Sequence, residues 1–203
     1  MPRISEERRA ANRTVILDAA RRCFARDGFD GTSMPDLVAE AGISAGAFYR
    51  YFDGKEDVVR EIAREAFVAL GASLSPLLDR EPAPTLGEIV AAAVETLSAP
   101  TLRIGGRTVD LDEQFRLAVQ AWGYALRTPD VRTEAQTGAG LVVGRIAGAL
   151  ARARAEGRAP AGLDPTDGAH LVVALLPGLI VQRAVLGLDS AGVRRAALVL
   201  FDG

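Results

Sequence analysis

Hydrophobic positions recur along much of the chain with the three- to four-residue spacing of amphipathic helices, and polar positions fill the opposite faces. Between Ile16 and Phe24 the apolar side chains follow the order i, i+3, i+4, i+7 and i+8. Strand-like alternation is scarce. We therefore predict an all-α protein of about nine helices. The longest apolar run, Leu171 to Val181, is too short for a membrane span, which needs about 20 residues.

Capping residues and helix breakers set the limits of the predicted helices. Side chains that accept hydrogen bonds from the first turn mark helix starts, while Gly and Pro mark the breaks. The predicted starts are Ser5, Ser33, Ser44, Asp53 or Gly54, Thr85, Asp110, Thr128, Asp164, and Asp189 or Ser190. The predicted breaks lie at Gly28, at Gly42, at Pro76 with Pro82 and Pro84, in a loop over 100–109, and in a loop over 159–162.

Charge is distributed unevenly along the chain. The net charge is −2, but the segment up to Arg26 contains seven arginines and three acidic residues. Such a basic segment on an acidic body is typical of an arm that approaches phosphates, although an ordinary solvated helix face gives the same pattern.

The reactive side chains do not form the pattern of an enzyme. The single cysteine, Cys23, lies on the buried stripe of the first helix, and the single histidine, His170, belongs to the eighth. They allow no disulfide framework, and no paired metal ligands or catalytic triad order is present in the sequence. We expect a non-enzyme without cofactor or metal. The N-terminus has no apolar signal-peptide core, so we expect a cytoplasmic protein outside the membrane.

Two short helices joined by a glycine-containing turn, with a supporting helix in front, predict a helix-turn-helix. The motifs are Gly28-Phe29-x-x-Thr32-Ser33-Met34, the run Leu37 to Ser44, the run Gly46 to Phe52, and Lys55-Glu56-Asp57. Within residues 10–60 they resemble the N-terminal signature of the TetR family of transcriptional regulators. We therefore predict a DNA-binding domain over 1–55 and an effector-binding and dimerisation domain over 56–203.

The resemblance implies a DNA site around the third helix, which would enter the major groove. The residues implied to face the bases are Ser44, Ala45, Ala47 and Arg50. Those implied to contact phosphates are Thr32, Ser33, Tyr49, Tyr51 and Lys55. Helical spacing assigns Phe48 and Phe52 to the core, which favours a DNA-facing position over core packing for the two tyrosines. Because Ala45-Gly46-Ala47 offers almost no base-reading side chain, we predict readout largely through phosphates and DNA shape.

The remaining helices are too apolar to stand alone. The resemblance implies a homodimer through the last two helices, whereas burial within one chain is the alternative. It also implies an effector pocket in the region of helices four to seven, for a small apolar or amphipathic molecule. The candidate pocket residues are Phe67, Leu70, Gln114, Phe115, Leu117, Ala118 and Trp122. The alternative is that these side chains only fill the core.

The predicted function is that of a ligand-responsive repressor on a palindromic operator. We expect the fourth helix to transmit the effect of ligand binding to the DNA-binding domain. The alternative is a small-molecule-binding helical dimer whose DNA recognition is lost or altered, which the sparse Ala45-Gly46-Ala47 surface would fit.

Overall fold

The structure is a computed structural model that describes residues 6–104, 107–160, 162–188 and 191–201, except the side chains of Glu6 and Glu7. In these ranges the chain forms nine α-helices and one two-stranded antiparallel hairpin, so the predicted helical fold is confirmed. The elements are α1 (Glu6–Gly31), α2 (Met34–Ala41), α3 (Ala45–Phe48), α4 (Lys55–Leu78), α5 (Leu86–Ser98), β1 (Thr101–Ile104), β2 (Arg107–Asp110), α6 (Leu111–Ala125), α7 (Pro129–Ala155), α8 (Pro165–Ala184) and α9 (Ala191–Phe201).

The chain divides into two compact units. The N-terminal unit comprises the chain up to Ala63 together with Arg116–Glu134, and the C-terminal unit comprises Arg64–Phe115 and the chain from Ala135 onward. These limits differ from the predicted boundary between residues 55 and 56. The reason is that the first third of α4 and most of α6 bury apolar side chains, such as Ile62 and Leu117, in the N-terminal core.

The N-terminal unit is built on the amphipathic stripe of α1. Ile16, Ala20 and Phe24 on this stripe are completely buried, as the periodicity predicts. Helix α1 packs against α2, and α2 packs against α3. Phe48 and Phe52 are buried in the same core.

Two glycines end helices where the sequence predicts it. The backbone leaves helical geometry at Gly28, with φ 77°, although a short helical stretch continues to Gly31. Gly42 has φ 65° and caps α2. L-amino acids other than glycine rarely adopt this left-handed region, so both positions need glycine. The predicted Ser5 cap of α1 lies outside the described residues.

The C-terminal unit surrounds α5, which buries residues on nearly every face and packs against α8 and α9. Thr85 starts α5 with a complete capping box to Glu88. At two other predicted starts, Asp110 accepts a hydrogen bond from the Glu113 amide at 2.9 Å, and Asp164 accepts one from the Thr166 amide at 2.8 Å. The predicted start of α9 at Asp189 or Ser190 lies outside the described residues.

The prediction that Pro76 breaks the fourth helix is wrong, because Pro76 lies inside α4. A proline removes only one helical hydrogen bond, and the helix ends two residues later. The neighbouring hydroxyl of Ser75 donates to the Gly71 carbonyl at 2.8 Å. From α7, Arg145 contacts the Ser75 hydroxyl at 2.6 Å and Asp79 at 2.9 Å, which holds this end of α4 in place.

The predicted loop over 100–109 is also wrong, because β1 and β2 pair there in antiparallel register. Thr101 faces Asp110, and Ile104 faces Arg107. The sequence carries the signal, since a Gly-Gly pair between two alternating segments is typical of a hairpin. Gly105 and Gly106 themselves lie outside the described residues. The hairpin buries the side chain of Ile104, which is 1% exposed.

None of the helices within the described ranges combines the length and the apolar character needed to cross a bilayer.

Candidate nucleic-acid interface

The start of α2 is set by Ser33 and Asp36. The Ser33 hydroxyl oxygen accepts a hydrogen bond from the Asp36 amide at 3.4 Å, and the Ser33 amide donates to the Asp36 carboxylate at 2.8 Å. The hydrogen bonds from the Ser33 hydroxyl and amide hold the pKa of Asp36 below its usual value. This reciprocal cap, which the sequence predicts, holds the first turn of α2 in one geometry.

Helix α3 presents a surface of small residues. Ser44 caps it by accepting a hydrogen bond from the Ala47 amide at 3.2 Å. Ala45 and Gly46 are exposed, and a Cβ added to Gly46 would meet no atom within 4 Å. The backbone of α3 is therefore open to close approach by another surface.

The side chains that follow α3 separate into buried and exposed sets. Tyr49 is 51% exposed. Arg50 is exposed and makes no hydrogen bond or ion pair with the described part of the chain. Tyr51 is half-buried, and its hydroxyl accepts a hydrogen bond from the Asn12 amide group at 2.9 Å. A cation able to bind bases or phosphates thus lies beside two phenols, one of them held by α1.

Thr32 and Lys55 hold the connection between α1 and α2. Thr32 is 1% exposed, and its hydroxyl donates to the Gly28 carbonyl at 2.7 Å. The Lys55 ammonium donates to the carbonyls of Phe29 at 2.8 Å and Thr32 at 3.1 Å. Both residues therefore have a structural role that the sequence did not reveal, and their phosphate contacts stay a prediction.

Residues from α6 complete this connection in the N-terminal unit. The Tyr124 hydroxyl donates to the Glu56 carboxylate at 2.9 Å, and its ring centroid lies 5.6 Å from that of Phe29. Burial, followed by the hydrogen bond with Glu56, raises the pKa of Tyr124 above its ordinary value. A Cβ added to Gly28 would lie 3.4 Å from the Gln120 side-chain oxygen. No local signal in the sequence points to these contacts, because the partners are far apart in the chain.

An ionic cluster joins α1 to α2. The Glu40 carboxylate contacts Arg22 at 2.7 Å and Arg26 at 3.4 Å. The hydrogen bond from Arg22 is the main cause that lowers the pKa of Glu40. Cys23 is buried beside this cluster, and burial raises the pKa of its thiol. Two of the arginines in the basic N-terminal segment are thus engaged in packing the helix-turn-helix together.

The predicted DNA site and the predicted effector site are placed differently. All nine candidate DNA residues belong to the N-terminal unit, at the start of α2, on and after α3, and at the first residue of α4. The effector candidates are divided between the units. The C-terminal unit contains Phe67, Leu70, Gln114 and Phe115, whereas the N-terminal unit contains Leu117, Ala118 and Trp122. Leu117 is 2% exposed in the N-terminal core.

Comparison with known proteins places these features in a family. The model for bacterial regulatory proteins of the tetR family matches residues 16–62, and the model for the C-terminal part of BetI-type transcriptional repressors matches residues 105–202. Together the two models cover more than half of the chain. The chain belongs to the TetR family of bacterial regulatory proteins, which is a family of regulators and not of enzymes.

Curated relatives resemble the chain mainly in its N-terminal part. The HTH-type transcriptional repressor Rv1474c of Mycobacterium tuberculosis is 43% identical over 65 residues, which are 32% of this chain and 35% of the relative. The match to this relative thus spans about a third of the relative's length. A search of solved structures finds Salmonella enterica GusR, with a TM-score of 0.75 and 21% identity over 100% of both chains. A complex of SmeT with triclosan has a TM-score of 0.69 and 24% identity, over 95% of this chain and 92% of that one. At these identities the solved structures show the fold.

Proposed function

We propose that this chain is a transcriptional repressor that binds a palindromic operator as a homodimer and leaves it when a small molecule binds the C-terminal unit. The observation that carries the proposal is the exposed small-residue surface of α3, with Tyr49 and Arg50 beside it. A repressor role is supported by the relative Rv1474c, which is named as a transcriptional repressor. Operator DNA lies in the bacterial cytoplasm, so we place the protein there.

Base reading by this surface is sparse. Arg50 is the side chain with the reach and the two parallel donors to read a guanine edge, and the Ala47 methyl group suits a thymine methyl group. The Ser44 hydroxyl is the other proposed base-facing donor, whereas the proposed contacts of Ser33, Tyr49 and Tyr51 suit phosphates. Readout then depends on phosphate positions and DNA shape more than on direct base contacts.

The hydrogen bonds in the free protein refine two of the proposed phosphate contacts. Two of the three N–H groups of Lys55 donate to carbonyls, so we assign its phosphate contact to the third. The hydroxyl proton of Thr32 is committed to the Gly28 carbonyl, so we assign the Thr32 contact to its backbone amide. Both contacts would then come from groups already held in position.

The exposed face of α8 supports the homodimer. Its opposite face, including Val172, Leu176 and Leu179, is buried in the core of the chain. Residues at helical spacing on the exposed face are His170, Leu171, Ala174, Pro177 and Gly178, and the exposed Val185 follows at the C-cap. On α9, Val199 and Leu200 are each 73% exposed. Apolar surface of this kind favours a second copy, and a two-fold dimer matches a palindromic operator.

The apolar core of the C-terminal unit supports a small-molecule effector. Phe115 belongs to its large buried cluster, and the partly buried Phe67 and Leu70 pack against it. A small apolar or amphipathic ligand suits such surroundings. The SmeT structure holds triclosan, which shows that a protein of this fold accommodates a small molecule.

The proposed mechanism is a shift between two populations of the dimer. Helix α4 begins at Lys55 in the N-terminal unit and carries Phe67 and Leu70 in the C-terminal unit, so a ligand that moves one end of α4 acts on the other. A coupling free energy of about 1–3 kcal/mol would change operator affinity roughly 5–150-fold.

The decisive experiment is a gel shift with the DNA upstream of the protein's own gene, repeated over a salt series. Phosphate-dominated binding with about 6–10 contacts should lose at least about 10³-fold in affinity between roughly 50 and 200 mM salt. A stable dimer without sequence-specific binding would instead favour the alternative, a small-molecule-binding dimer with lost DNA recognition.

Variants at the interface then separate base reading from phosphate binding. We expect Tyr49→Phe and Tyr51→Phe to weaken binding to all sequences, and Arg50→Ala to relax sequence preference only in part. Lys55→Ala is a poor substitute for them, because it also removes the hydrogen bonds to Phe29 and Thr32. Complete loss of sequence preference in Arg50→Ala, with unchanged affinity in both tyrosine variants, would contradict readout through phosphates and shape.

A further inference from the structure

We propose that the start of α1 extends the DNA interface, with the Arg9 guanidinium on a backbone phosphate of the operator and Asn12 aligning the Tyr51 hydroxyl with another. This inference rests on the DNA-binding function proposed above and adds two residues to its interface.

The start of α1 is held against the segment that follows α3. The Asn12 side-chain amide donates to the Tyr51 hydroxyl at 2.9 Å. The central carbon of the Arg13 guanidinium lies 4.9 Å from the centroid of the Phe52 ring, and Arg13 also pairs with Glu61 at 2.8 Å. Two adjacent residues of α1 thus contact two adjacent residues after α3. This part of α1 therefore lies beside Tyr51, which is a proposed phosphate contact.

Arg9 lies on the same face of α1 as Asn12. The two residues are three positions apart within one helix, and side chains at that spacing are neighbours on the helix surface. A helical turn advances about 5.4 Å, so Arg9 is less than one turn from the residue that contacts Tyr51. Arg9 is exposed. Its guanidinium is thus placed to reach a phosphate close to the one proposed for Tyr51.

Other arginines of the basic N-terminal segment serve the packing of the unit. Arg13 pairs with Glu61, and Arg22 and Arg26 pair with Glu40. Among the described side chains, Arg9 takes part in no such ion pair. Its charge therefore contributes to the outward-facing positive potential of the segment, which attracts the phosphates of DNA.

The two side chains suit phosphates in different ways. Because the Tyr51 hydroxyl accepts a hydrogen bond from Asn12, its own proton remains available to a phosphate oxygen. The Arg9 guanidinium keeps its charge at any ordinary pH and offers parallel donors that match two phosphate oxygens. The tyrosine contact fixes position, while the arginine contact adds salt-dependent affinity without reading sequence.

The test is a gel shift with Arg9→Ala over a salt series, on the DNA upstream of the protein's own gene and on a random-sequence duplex of equal length. Loss of one phosphate contact should lower the slope of log affinity against log salt by about 0.9 per protomer, or about 1.8 for a dimer. At about 100 mM salt we expect at least about tenfold weaker binding to both duplexes. Arg9→Lys should restore most of the slope, because lysine keeps the charge.

Two further variants complete the design. Arg132→Ala removes an exposed arginine from α7 in the same unit, and it should leave the slope unchanged. Asn12→Ala should weaken binding about 3–10-fold in the wild-type background, as expected for loss of one neutral hydrogen bond. It should add nothing in the Tyr51→Phe background, because Asn12 acts through the tyrosine hydroxyl.

The possible results separate this inference from the proposed function. An unchanged slope and affinity in Arg9→Ala would overturn the phosphate contact and leave an ordinary solvated helix face. A loss confined to the upstream DNA, which Arg9→Lys does not restore, would also overturn it, because it would show base reading. Equal effects of Asn12→Ala in both backgrounds would contradict the alignment of Tyr51. Failure of the wild-type chain to bind its upstream DNA would contradict the proposed function itself.

Discussion

The two compact units use their polar side chains in different ways. In the N-terminal unit, Ser33 bonds to Asp36, Thr32 to the Gly28 carbonyl, and Lys55 to the Phe29 carbonyl. Polar groups there hold the short helices in one arrangement. In the C-terminal unit an extensive apolar core is accompanied by exposed apolar residues such as Val199.

The proposed function accounts for this difference. A surface that reads DNA must keep its donors in a fixed geometry before the DNA arrives, so its polar side chains are locked by the chain itself. A surface that binds a second copy or a small molecule keeps its apolar area and polar groups available until the partner is present. The predictions below test this contrast, beginning with the largest expected effect.

The first prediction concerns the exposed face of α8. Ala174 lies on that face and is exposed, so Ala174→Arg should place a charge in the proposed dimer interface without disturbing the core of the chain. We expect a monomer by light scattering and a loss of operator affinity of about 10²-fold or more, because two linked half-sites bind far more tightly than one. Glu95→Arg, at an exposed position on α5, is the control and should remain dimeric. If the Ala174→Arg variant remained dimeric, the result would show that this face of α8 is not part of the dimer interface.

The second prediction concerns the contact between α4 and α7 within the C-terminal unit. A Cβ on Gly138 would lie 2.5 Å from a carbon atom of the Phe67 ring. Gly138→Ala should lower the free energy of unfolding by about 1–3 kcal/mol, measured by urea denaturation, because the core has no room for the added methyl group. Gly71→Ala on α4, where an added Cβ meets no atom within 4 Å, should not destabilise the protein. Equal stability of both variants would show that the ring moves aside easily, and Phe67→Leu should reduce any penalty at Gly138.

The third prediction concerns the open surface of α3. Gly46→Ala should raise the free energy of unfolding by up to about 0.5–1 kcal/mol, because alanine favours a helix more than glycine does. The added methyl group meets nothing in the free protein but would stand between the helix and the groove floor. We therefore expect a more stable protein with weaker operator binding, measured by thermal denaturation and gel shift. Unchanged DNA affinity would argue against close approach of this backbone to DNA.

The smallest effect is expected from the ionic cluster between α1 and α2. Because the hydrogen bond from Arg22 lowers the pKa of Glu40 in the folded chain, Glu40 stabilises the fold above its unfolded pKa. That contribution is lost as the pH falls through the folded pKa. Glu40→Gln should reduce the fall in the free energy of unfolding at acid pH, measured by denaturation between about pH 3 and 7. An identical pH dependence in the variant would show that the ion pair is not maintained in solution.

The sequence by itself determined the helix-turn-helix. The stripe from Ile16 to Phe24, the caps at Ser33 and Ser44 and the left-handed Gly42 follow from helical periodicity and from hydrogen bonds within three or four residues. The strings that resemble the family signature lie in the same segment. Such local interactions depend only on neighbouring residues, so their spacing along the chain is sufficient to predict them.

Tertiary structure alone decided the features that depend on distant residues. Lys55 bonds to carbonyls more than 20 residues away, and Pro76 stays in α4, whose end Arg145 of α7 holds. The effector candidates on α6 are split between two units, although they lie on one helix. Sequence spacing does not specify which helices meet or which polar groups find partners, because those outcomes depend on packing between segments far apart in the chain.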